Sequence, residues 1–178
     1  MTTLLGISGA LRKESHNTVL VNEAARLFAP DTFVMADLHF PLFDGDIEDA
    51  DGIPAAVQKL HAQIKAADAV IISTPEYNKN LSGVLKNALD WLSRERPQPW
   101  TGKPVAIMSA SSGRAGGERA QYSLRHCMTP FNPRILQGPE IMIAAAGKAF
   151  DENGRLVNEF STKSLTKLMD ALRAETER

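Results

Sequence analysis

The chain has one cysteine, Cys127, among 178 residues. A single thiol excludes an intrachain disulfide and every multi-cysteine zinc or iron–sulfur site, so any redox chemistry must come from a bound cofactor. Long hydrophobic runs are missing too. No window approaches the roughly 20 apolar residues that span a bilayer, and no basic segment leads into an apolar stretch near Met1. The expectation is a soluble, cytoplasmic protein with no membrane partner. Charge of one sign is not in excess: the formal net charge is −1, and lysines and arginines are scattered along the chain. A nucleic-acid partner would need a basic stripe to neutralise phosphates, and none is present. His16, His39, His61 and His126 lack metal-ligand spacing, so no metal site is expected.

Several catalytic signatures are also absent. No segment matches Gly-x-x-x-x-Gly-Lys-[Ser/Thr], which excludes a nucleotide triphosphatase of the Walker type. The dinucleotide fingerprint Gly-x-Gly-x-x-Gly is missing, although Asp37 ends a strand where a ribose-binding acid could lie. The nucleophile elbow Gly-x-Ser-x-Gly is missing as well. His126 and Cys127 are neighbours on a helix and point to different sides, so they form no dyad.

What the chain does contain is an alternation of short apolar runs with amphipathic stretches over residues 1–178, without a linker. This predicts one domain of βαβ units. Strands are expected at Thr3 to Ser8, Thr32 to Leu38, Ala69 to Ser73, Val105 to Ser109 and Glu140 to Ala146. A first helix starts near Asn17, with Leu20, Ala24, Leu27 and Phe28 on one face. An acidic loop is expected from His39 to Gly52. Pro54 then opens a helix whose buried side carries Val57, Leu60 and Ile64. Another runs from about Ser82 to Arg94, and a fourth follows the loop Ala110 to Gly117. The last has Leu165, Leu168, Met169 and Leu172 as its stripe. The fold class is α/β, a three-layer sandwich around a five-stranded parallel sheet in the order 2-1-3-4-5. Right-handed crossovers bring the loops after strands one, three and four to one edge, where such sheets bind ligands.

Those loops are unusual. The first, Gly6 to Thr18, sets Arg12, Ser15, Asn17 and Thr18 at a helix N-terminus, where unpaired amides and the helix dipole favour a phosphate. Read singly, Ser15 or Asn17 is a helix cap. The second, Thr74-Pro75-Glu76-Tyr77-Asn78-Lys79-Asn80, ends a buried strand in a proline-fixed bend. The third, Ser109 to Gly117, offers small residues and glycines that let backbone approach a flat ring.

Three segments together resemble the NAD(P)H-dependent FMN reductase family, in particular its quinone and chromate reductase branch. They are Leu11-Arg12-Lys13-x-Ser15-x-Asn17, Pro75-Glu76-Tyr77-Asn78 running into residues 83–94, and Gly116-Gly117. The resemblance implies a flavodoxin-like fold with non-covalent FMN as cofactor and NADPH or NADH as co-substrate. It implies hydride transfer to flavin N5, then reduction of a small-molecule acceptor: a quinone, chromate, ferric ion, azo dye or free flavin. No protein residue is assigned as acid, base or nucleophile, because the flavin carries the chemistry. The cofactor-binding residues it implies are Ala10, Leu11, Arg12, Ser15, Asn17 and Thr18 around the phosphate. Pro75, Glu76, Tyr77 and Asn78 line the ring, and Ser111, Ser112 and Gly113 close the opposite side. Ala10 stands where members commonly have Ser, Lys79 where an aromatic is frequent, and Ser82 where Pro is usual. Arg119, Tyr122 and Glu140 match an intersubunit polar network, which implies a homodimer or homotetramer. The alternatives are a flavodoxin-type electron carrier and a non-catalytic flavin-binding domain.

Overall fold

A computed structural model describes all 178 residues. Three central strands are fully or almost fully buried: β1 (Thr3–Ser8), β3 (Ala69–Thr74) and β4 (Pro104–Ala110). Their near-continuous apolar sequence is what a parallel strand covered on both faces requires. β2 (Thr32–Met35) pairs β1 on the outer side, and every pairing in the sheet is parallel. Alternate residues face opposite layers, as a period of two dictates. Leu5, Ile7, Val70, Ile72, Val105 and Ile107 pack under α3 (Ala55–Ala66), α4 (Gly83–Leu92) and α5 (Glu118–Met128). Leu4, Ala69, Ile71, Ala106 and Met108 meet α1 (His16–Phe28) and α6 (Glu159–Thr176). The stripe Leu165, Leu168, Met169 and Leu172 lies in that second layer.

The order is β2-β1-β3-β4-β5, with β6 also on β4. The fifth position, expected as one strand from Glu140 to Ala146, is divided. β5 (Arg134–Ile135) pairs Pro104 and Val105, and β6 (Ile141–Ile143) pairs Met108 to Ala110. Pro139 between them has no N–H to continue the ladder. β2 is shorter than expected, because the Asp37 carboxylate accepts the His39 N–H at 3.0 Å and turns the chain away. This bond and a second to the His39 ring nitrogen at 2.6 Å hold the Asp37 carboxyl below its usual pKa.

The acidic segment expected as a loop contains α2 (Gly45–Asp51). Asp44 caps it by accepting the Asp46 N–H at 2.9 Å, Ile47 packs on the core, and Glu48 accepts two bonds from Arg94 Nε at 2.8 and 2.9 Å. No helix is long and apolar enough to cross a membrane.

The register sets the binding edge. Ser8 lies beside Ser73, and Thr74 beside Ser109, so β1, β3 and β4 end level with one another. The loops that follow them leave from one line.

Candidate functional site

The first loop is held at both ends. Gly9 N–H donates to the Ser73 carbonyl at 2.8 Å, and Ser15 N–H donates to the Arg12 carbonyl at 3.2 Å. Ser15 is the N-cap of α1, and its hydroxyl accepts the Asn17 N–H at 3.2 Å. From Ala10 to Thr18, only the amides of Ser15 and Asn17 donate within the chain. The remaining N–H groups, with the helix dipole behind them, form a cradle for an anion. Arg12 lies over it, 77% exposed and 3.8 Å from Glu14.

The second loop is a tight turn. Tyr77 and Asn80 exchange backbone hydrogen bonds at 3.0 and 3.1 Å, with Asn78 and Lys79 at φ +53° and +68°. Two positive φ values in succession mark a type I′ turn. The Glu76 carboxylate accepts the Arg119 N–H at 3.1 Å and faces its guanidinium at 3.6 Å, tying the turn to the start of α5. Ser123 on α5 bonds the Asn80 carboxamide oxygen. Ser82, the N-cap of α4, donates its hydroxyl to the Gly9 carbonyl at 2.6 Å and so joins this segment to the first loop.

The third loop lies flat on the sheet edge. Ser111 N–H donates to the Ile143 carbonyl at 2.9 Å, and Gly113 N–H to the Ser111 hydroxyl at 3.3 Å. Ser109 donates to the Gly116 carbonyl at 2.6 Å, while buried Gln121 donates to Ser109 and to the Ile141 carbonyl. Gly116, at φ +61°, passes so near β6 that a Cβ there would lie 2.6 Å from the Met142 carbonyl carbon.

Between the loops lies a cleft of about 270 Å3. Nine of the sequence-expected residues line it: Ala10, Arg12, Ser15, Asn17, Pro75, Glu76, Tyr77, Ser111 and Ser112. Leu11 and Thr18 lie instead in an adjoining cavity with Asp37, which shares Ala10 and Arg12 with the cleft. The Thr18 hydroxyl is used on Ser8 at 2.8 Å. Asn78 is in the type I′ turn, and Gly113 follows the two cleft-lining serines. The Asn17 carboxamide is turned inward, to Ser73 and Ala110.

Sequence reasoning did not assign Glu14 and His16 to the cleft wall, nor Ser73, Ser82 and Ser109 to its framework. One signal was available: Ser8, Ser73, Thr74 and Ser109 put hydroxyls at the ends of three otherwise apolar strands. The donor set suits a flavin mononucleotide, with free amides and an arginine for the phosphate and small residues beside a Pro-Glu-Tyr backbone for the ring.

Comparison with known proteins agrees with this geometry. The family model for NADPH-dependent FMN reductase matches residues 2–148. An NAD(P)H-dependent FMN reductase of Pseudomonas aeruginosa is 44% identical over 171 residues, covering 95% of this chain and 92% of its own. A quinone reductase of Escherichia coli is 38% identical, with 93% and 89% covered. Among solved structures, the flavoenzyme NAD(P)H:(acceptor) oxidoreductase FerB of Paracoccus denitrificans superposes with a TM-score of 0.88 at 30% identity, covering 99% of this chain and 98% of its own. Sequence, fold and site therefore agree that the chain belongs to the NADPH-dependent FMN reductase family.

Proposed function

We propose that FMN binds in the cleft between the loops after β1, β3 and β4, and that the protein is an NAD(P)H oxidoreductase delivering electrons to quinones or similar small acceptors. The observation that carries this reading is the row of free amides from Ala10 into α1, set under Arg12 and opposite a cleft walled by backbone and small side chains. Arg12, Ser15 and the first-turn amides hold the phosphate. The Pro75 to Asn78 backbone lies along one side of the ring, with Ser111, Ser112 and Gly113 on the other. Bound FMN supplies the redox chemistry, accepting a hydride from the reduced nicotinamide and reducing the acceptor. The protein's part is to bind, orient and leave one face open. Tyr77 is 56% exposed at the mouth, so the second substrate reaches the ring without a lid having to open.

A homodimer or homotetramer follows from the same reading. Tyr77, Arg119 and Tyr122 are each more than half exposed on the face beside the cleft, and a second subunit there would complete the site wall. The cytoplasm, where reduced nicotinamides are available, is the proposed location.

The test is anaerobic. Purified protein loaded with FMN is mixed with NADPH or NADH; the flavin absorbance is expected to bleach, and benzoquinone to restore it. Failure to bind FMN, release of FAD on heating, or a flavin that neither nicotinamide bleaches would overturn the reading. Sedimentation at micromolar concentration tests assembly, and a monomer contradicts it.

A further inference from the structure

We propose that Asn17 acts as a positioning residue for the whole flavin and not as a ligand of its phosphate. This rests on the reading that FMN occupies the cleft. Asn17 is the second residue of α1, at the phosphate end of the cleft, and is only 3% exposed. Its carboxamide oxygen accepts two bonds, from the Ser73 hydroxyl at 2.8 Å and the Ala110 N–H at 3.0 Å. Its Nδ2 donates to the Ala110 carbonyl at 3.0 Å. Both lone pairs of the oxygen are thus taken, and one amide hydrogen is committed.

The pairing with Ala110 falls at the end of the β3–β4 ladder. Thr74 and Ser109 are its last partners, and Ala110 is the next residue along β4. Asn17 supplies both a donor and an acceptor to the Ala110 peptide groups there. The side chain thus carries the hydrogen bonding of β4 one residue beyond the last paired position. It joins the helix that carries the phosphate cradle to the strand that leads into Ser111 and Ser112, so the distance between the two halves of the site depends on it.

A phosphate ligand and a brace differ in what they do to riboflavin, which has no phosphate. Wild type, Asn17→Ala and Asn17→Asp are titrated with FMN and with riboflavin by flavin fluorescence. For Asn17→Ala the brace predicts a loss of about tenfold or more, equal for both ligands, because buried partners are left unpaired. Asn17→Asp keeps the acceptor but sets a second carboxylate oxygen against the Ala110 carbonyl. Protonation of that carboxyl restores a donor, so riboflavin affinity of this variant is expected to climb back towards wild type as pH falls from 8 to 5.5. Arg12, Glu14, His16 and Glu76 line the same cleft, so the readout is the variant-to-wild-type ratio at each pH. Ser73→Ala, which removes one bond to Asn17 from the β3 side, serves if Asn17→Ala does not fold; the brace predicts a smaller, again equal, loss. Losses confined to FMN, or no acid recovery of riboflavin binding by Asn17→Asp, overturn the proposal. Wild type binding neither ligand overturns the FMN reading beneath it.

Discussion

The Ser82 hydroxyl donates to the Gly9 carbonyl at 2.6 Å across 73 residues of sequence, and the same oxygen accepts the Leu85 N–H at 3.3 Å. One side chain thereby caps α4 and fixes the exit of β1. Ser82→Ala removes the cap and leaves a buried carbonyl unpaired, so a loss of about 1–3 kcal/mol is expected. Urea unfolding measures it, and a change below about 0.5 kcal/mol, the range of an inert surface substitution, would contradict it.

Arg12 is expected to act on the ligand and not on the fold. Its guanidinium is largely exposed and its contact with Glu14 is loose. For Arg12→Ala we expect about a tenfold loss of FMN affinity, the lower end for hydrogen bonds to a charged group because solvent screens the site. Riboflavin affinity and the urea midpoint should stay at wild-type values. Equal losses for both ligands would place Arg12 away from the phosphate.

Two glycines with similar backbones separate strain from close approach. Gly116 and Gly102 have φ of +61° and +69°, but a Cβ at Gly116 meets Met142 backbone at 2.6 Å while one at Gly102 meets nothing within 4 Å. Gly102→Ala should cost about 1 kcal/mol from the left-handed backbone alone. Gly116→Ala adds a clash with main chain, for a total of about 2–4 kcal/mol. Equal melting temperatures for the two variants would refute the close approach.

Lys103 gives an alkaline signature. Its ammonium donates to the Lys65 carbonyl at 3.3 Å and to the Ala67 carbonyl, at the end of α3. Burial lowers its pKa below the ordinary 10.5, against a smaller opposing effect from Asp68. Between the lowered folded value and 10.5 the unfolded chain holds a proton that the folded chain has released, so this group makes stability rise with pH. Lys103→Met removes the contribution. Urea midpoints measured from pH 8 to 10.5 should move in favour of wild type as pH rises, and parallel curves would exclude the effect.

Much of the fold could be read from local pattern. The buried strands at Thr3, Ala69 and Val105 are apolar runs bounded by Gly, Pro and Ser, and the helices announce themselves by stripes such as Val57, Leu60 and Ile64. Such signals are short-range, and the chiral rule for crossovers converts them into an order of strands. α2 escaped notice because its only core contact is Ile47, too little for a periodic signal, although Asp44 was a readable cap. The break between β5 and β6 depends on which neighbour each half meets along β4.

The sequence by itself determined the layers, the strand order and the three loops that build the cleft, because burial period and turn chemistry are written residue by residue. Tertiary structure alone decided what each polar side chain in those loops does. Asn17 and Ser82 look like simple helix caps in one dimension, yet Asn17 meets Ala110, 93 residues away, and Glu76 meets Arg119, 43 residues away. A hydrogen-bonding group is satisfied by whatever the folded chain brings within about 3 Å of it, and no local pattern carries that distance.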